Sequence, residues 1–197
     1  MIKNKLTGNV VIANPLNPGN DGLDHSVIMI VSHTKEHAIG LRINKPVHNL
    51  NLADVCDRVN ISYNGDELVF QGGKLSTSKL YVLHSLDWEG LTTVALTDKI
   101  GITYDMSILT AISLGEGPEY IKACAGFMSW EGDLLERQLS NSSDKESLEF
   151  DHKWEILPAT IDNVFCSGLG LEHWHLAIEE SAEKQAQQWL QSFSGFN

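Results

Sequence analysis

The stretch SVIMIVSHTKEHAIGLRINKP, residues 26–46, decides the fold. It holds two apolar runs, residues 26–31 and 38–43, each of the length of a buried strand and too short for a typical helix. No helix-length segment separates them. Asn44-Lys45-Pro46 closes the second run, because proline cannot donate to a β-ladder. Working outward, residues 10–13 read as a strand stopped at Asn14-Pro15, and residues 68–71, 80–84, 92–96, 120–125 and 154–157 as further strands. Helices are expected over 52–59 with Asn51 as N-cap, and over 105–114 with Asp105 as cap. Ser129 is expected to cap another, with Glu131 and Asp133 in its first turn and Leu135 and Leu139 buried. The last helix is expected over 172–193. There Trp174, Ile178, Ala182, Ala186, Trp189 and Phe193 recur at spacings of three or four and form a stripe fit to lie on a sheet. Strands dominate early and helices enter late, without regular alternation. That order predicts an α+β fold in one domain spanning residues 1–197, with a polar surface loop at about 140–153.

The totals narrow the function classes. The chain has 197 residues, enough for a sizeable core, and 42% of them are hydrophobic, which argues against disorder. Its 14 Lys+Arg against 26 Asp+Glu give a net charge of -12. Such a surface repels a phosphate backbone, so direct nucleic-acid binding is disfavoured and a protein or small-molecule partner is expected. No run of about 18 apolar residues suits a membrane span, and the N-terminal apolar patch is too short for a signal peptide, so the expected location is cytoplasmic. Cys56, Cys124 and Cys166 are odd in number and far apart, which suits buried thiols better than a disulfide framework.

Several segments taken in order resemble the YqgE/AlgH family of bacterial proteins. LTGNVVIANP resembles its opening Leu-x-Gly-x-x-Leu-Ile-Ala-x-Pro, and SVIMIVSH its buried strand ending in a histidine, here His33. AIGLRINKP carries its Gly-Leu-x-x-Asn-x-Pro signature, VFQGGKLSTSKLYVLHS its glycine turn and following strand, and GFMSWEGDLLERQL its tryptophan segment and helix. The chain departs from the family pattern at His37, Lys74, Ser129, Leu134 and Gln138, as a divergent member would. The resemblance implies a mixed, bifurcated, barrel-like β-sheet with flanking helices and a C-terminal amphipathic helix. It brings the label of a transcriptional regulator but no reaction, so the sequence leaves open whether the chain is an enzyme.

The candidate ligand-binding residues are Asn44, Lys45, Gly72, Gly73 and Trp130. Structural roles compete at each. Asn44 can satisfy local backbone, Gly72-Gly73 can form a turn needing positive φ, and Trp130 can anchor a core. Gly73-Lys74-Leu75 fails the phosphate-loop pattern. His33 and His84 each end an expected strand and could share a cleft. Together with Glu136 they are the candidate acid–base groups, against hydrogen-bonded structural roles. No H-E-x-x-H or G-x-S-x-G occurs, and neither a metal nor a cofactor is expected. The sequence thus favours a regulatory or binding module acting through a protein or small-molecule partner. The alternative is a hydrolase or transferase with a His/Glu acid–base pair in a cleft.

Overall fold

In the computed structural model of the chain, residues 6–16, 22–139 and 153–194 are described. Of the predicted polar loop, only Lys153 lies among them. The elements in chain order are β1 (Asn9–Ala13), β2 (Val27–His33), β3 (His37–Arg42), β4 (Pro46–Asn51), α1 (Leu52–Arg58), β5 (Leu68–Gln71), β6 (Leu75–Ser85), β7 (Val94–Ala95) and β8 (Ile100–Thr103). They continue as α2 (Ser107–Ser113), β9 (Ile121–Glu131), α3 (Leu134–Leu139), β10 (Trp154–Pro158), α4 (Ile161–Phe165) and α5 (Leu171–Ser194).

The two runs of the deciding stretch form β2 and β3, paired antiparallel, with Met29 opposite Leu41. From them the sheet extends in the order β10-β1-β2-β3-β9-β6-β8-β7. Its fork is β9. One edge of β9 takes β6. The other edge first takes β5, in parallel, at Ala123 to Ala125, and then β3, antiparallel, at Met128 to Glu131. Gly126, with φ +72°, stands between the two registers. That left-handed conformation is open to glycine at little cost, so the strand can turn from one partner to the next. The result is the mixed, curled α+β sheet with flanking helices and a C-terminal helix.

Three apolar clusters cover this sheet. Val10, Met29, Leu41 and Leu83 meet Val164 of α4 and Trp174 of α5. Ile28, Ile30 and Trp130 meet Leu135 of α3 and Trp154. Val69 and Val82 meet Leu52 of α1 and Ile108 of α2. The α1 helix begins as expected, with Asn51 and Asp54 bonded reciprocally in a capping box.

Several local expectations are corrected. Pro46 does not end the strand region but opens β4, a position where no ladder donor is required. The segments β4, β8 and α4 were not anticipated, and the expected strand over 92–96 shrinks to the two residues of β7. The strand expected to end near residue 125 runs to Glu131, held there by β3. Ser129 is therefore a strand residue and not a helix cap; α3 starts only at Leu134. Gly72 and Gly73 are absent from the positive-φ residues. They serve close approach instead: a Cβ at Gly73 would lie 2.0 Å from the Phe127 backbone, and one at Gly72 2.3 Å from the Gly126 carbonyl. On α5 the stripe packs only over its first turns. Trp174 is buried, with Nε1 donating to the Ala13 carbonyl at 2.8 Å, whereas Ala182, Ala186 and Trp189 are exposed because the helix outruns the sheet.

Candidate functional site

The candidate acid–base groups divide into two places. His33, at the end of β2, meets Glu136 of α3, with Nε2 to Oε1 at 2.7 Å. Helical geometry explains the encounter: Leu135 and Leu139 turn toward the core, and Glu136 turns toward the strand end. His33 is buried and Glu136 half-exposed; the other ring nitrogen and the other carboxylate oxygen have no partner among the described residues. His84 lies elsewhere. On β9 its strand partner is Ile121, at the opposite end from Trp130, which pairs beside His33's end of the sheet. His84 is fully buried, its Nδ1 facing the Ser85 carbonyl at 2.9 Å and its Nε2 facing Thr103 Oγ1 at 3.0 Å. Burial pulls its pKa down. None of His33, His84 and Glu136 lines any of the described cavities.

The five ligand candidates also separate. Asn44 is buried and its amide is engaged three times. Oδ1 accepts from Val27 N at 3.0 Å, and Nδ2 donates to the His25 carbonyl at 2.7 Å and the Gly170 carbonyl at 2.8 Å. Gly72 is wedged against Gly126. Gly73 borders two clefts. One, of about 460 Å³, is lined by Lys45, His48, Gln71 and Thr77 among others. The second, of about 380 Å³, brings Gly73 together with Trp130. Trp130 is a core residue that also reaches this cleft, its ring set edge-on to Trp154 at 6.2 Å.

This second cleft opens at the β9 fork. Its floor is Arg42 at the end of β3 and Gly73; its sides are Phe127, Met128 and Ser129 of β9; α3 supplies Leu134 and Gln138, one turn apart. Gln138 is held by accepting from Trp154 Nε1 at 2.8 Å, a bond that does not use its two amide hydrogens. Arg42 is only 5% exposed. Its guanidinium donates to Gln71 Oε1 at 2.9 Å and more weakly to the Gln71 and Gly22 carbonyls, both at 3.4 Å. Burial lowers its pKa.

Sequence reasoning named Gly73 and Trp130 here but passed over Arg42; it treated Lys74, Leu134 and Gln138 only as departures from a pattern, and Ser129 as a departure and a helix cap. The signal for Arg42 was present: a cation interrupting the apolar run AIGLRI must be compensated if that strand is buried. Among the described residues no group of His, Cys, Asp or Glu is arranged to hold a metal ion. No helix among them is long and apolar enough to cross a membrane.

Comparison with known proteins bears on this architecture. The AlgH-like family model (DUF179) matches residues 10–182. A UPF0301 protein of Sphingopyxis alaskensis is 28% identical over 177 residues, covering 89% of this chain and 88% of its own. A UPF0301 protein of Alcanivorax borkumensis is 31% identical over 158 residues, or 78% of each chain. The solution structure of AlgH from Pseudomonas aeruginosa superposes with a TM-score of 0.70 at 25% identity, covering 92% of this chain and 90% of that one. A crystal structure from Corynebacterium diphtheriae, at 15% identity and a TM-score of 0.63, covers 88% and 91% and shares the fold. The family match runs from β1 through the forked sheet and the cleft into α5, and the chain belongs to the AlgH-like family.

Proposed function

We propose that this protein is a small-molecule-binding module whose ligand enters the cleft between the β9 fork and α3. The observation that carries this reading is the convergence of Gly73 and Trp130, far apart in sequence, on one concave site of about 380 Å³. Small ligands favour such concavities, with apolar walls and a few polar groups to fix orientation. Leu134 and Gln138 belong to the wall, so a bound ligand would bear directly on α3. Glu136, on the same helix, would carry that effect to His33. A regulatory role follows if a partner protein reads the position of α3. The cytoplasm is the proposed location, checked by cell fractionation.

The acid–base alternative has one observation in its favour, the contact between His33 and Glu136. Neither residue lines any of the five clefts formed by the described residues, and a general base must reach the proton it removes. Binding is therefore the better-supported reading.

A ligand-observed NMR screen on the full chain tests it. Hits are expected to shift the Trp130 indole and Met128 methyl signals. Ser129→Trp, at an exposed position on the cleft wall, is expected to abolish them by filling the space. Hits that bind Ser129→Trp as well as the parent would place the ligand elsewhere and sink the reading.

A further inference from the structure

The cleft has an electrical peculiarity. Acids outnumber bases 26 to 14 in this chain, yet Arg42, which is buried, has no carboxylate partner among the described residues. Its acceptors are all neutral oxygens. They engage three N–H groups of the five a guanidinium carries, which leaves two unspent. Removing a charge from water without an opposite charge is costly; neutral acceptors offset part of that cost, and a counter-charge offsets more. Every other polar side chain in the lining of the cleft is also able to donate. Lys74 lines it, as do the Ser129 hydroxyl and the Gln138 amide, while no Asp or Glu does. The larger cleft of about 570 Å³ beside α2 differs: its lining includes an acid, Asp105, as well as Lys79.

We infer that the ligand of the fork cleft is an organic anion, a carboxylate or phosphate carried on an apolar body. The inference rests on the reading of this cleft as the ligand site. The anionic group meets Arg42 through the Nη1 and Nη2 hydrogens that those three bonds leave unused, a charge-assisted contact. Lys74 adds a flexible second cation at the rim. The apolar body lies along Phe127, Met128 and Leu134, with Trp130 behind it. This arrangement assigns the charged end to the floor and the hydrocarbon to the wall made by α3.

Three probes of one chain length separate the contributions: octanoate, octyl phosphate and octanamide, titrated into the full-length protein by NMR and calorimetry. The two anions are expected to bind at the cleft at least roughly tenfold more tightly than the amide, as a charge-assisted bond to a buried cation predicts. Preference between octanoate and octyl phosphate then tells which oxyanion fits. Arg42→Met is expected to erase the preference while leaving weak octanamide binding. Because Arg42 is buried, Lys74→Glu at the exposed rim provides a second variant whose folding is not at stake. It should weaken both anions and leave octanamide unchanged. Added salt should weaken the anions selectively. Equal binding of octanoate and octanamide at the cleft would overturn the charge assignment yet keep the cleft as a ligand site. Binding of none of the three at the cleft, with other ligands still blocked by Ser129→Trp, would also overturn it. Failure of Ser129→Trp to block any hit would instead remove the underlying reading.

Discussion

His173 lies on the buried side of α5, and its ring Nε2 donates to the Asn163 carbonyl at 2.8 Å. Burial, reinforced by the positive charge of Lys122, pulls its pKa down to about 4. The folded state thus resists the proton that the unfolded chain takes up near the ordinary value of 6.5. Between those two values the unfolded state binds more protons, so stability falls as pH drops from about 6.5 toward 4. Over that window the group accounts for at most about 3 kcal/mol. Urea titrations of the parent and of His173→Gln at several pH values check this. The variant should lose that part of the acid sensitivity, and parallel curves would refute the assignment. Residue roles of this kind were only half legible. The sequence offered Asn44 as a polar residue at a strand end, but one of its partners, Gly170, is 126 positions away. Arg42 could be suspected from the apolar letters around it, whereas its neutral surroundings depend on chain segments that sequence does not align.

Among the elements, α3 is short but is fixed on three sides. Leu135 enters the core, Glu136 meets His33, and Gln138 accepts from the buried Trp154 indole. Gln138→Leu keeps the helix and removes that acceptor, leaving a buried N–H without a partner. The expected cost is about 1–3 kcal/mol in denaturant unfolding, with a change in Trp154 fluorescence. A cost within error of zero would mean that the indole finds another acceptor. Helices with complete local signals were readable in advance: α1 carries its own capping box in Asn51 and Asp54. Elements whose ends are set by a neighbour were not. β9 continues past Gly126 to Glu131 because β3 pairs with it from Met128 onward. β4 begins at a proline because β5 lies alongside, and the outer turns of α5 keep an apolar stripe although the sheet beneath has ended.

At the scale of the whole molecule, β9 joins both arms of the sheet, and the Gly73 turn is packed against it. Gly73→Ala would drive a methyl group to 2.0 Å from the Phe127 backbone, so the turn and the fork must separate. The expected loss is about 3 kcal/mol, read as a lowered Tm. Both clefts that share Gly73 should change in their NMR signals, and a normal Tm would show that the fork yields without cost. The α+β class was legible from strand spacing. The fork was not, since a strand with three partners looks in sequence like any other strand. The far edge of the sheet has a further consequence, in time. Asn9 of β1 pairs with Pro158 of β10, and Trp154 of β10 packs in one cluster with Trp130 and with Leu135 of α3. A nascent chain leaving the ribosome therefore carries an unzipped β1 edge until the segment through Pro158, about four-fifths of the way along the 197 residues, has emerged. Contacts of such long sequence separation close slowly. During that interval the exposed edge is the segment a chaperone would be called on to shield.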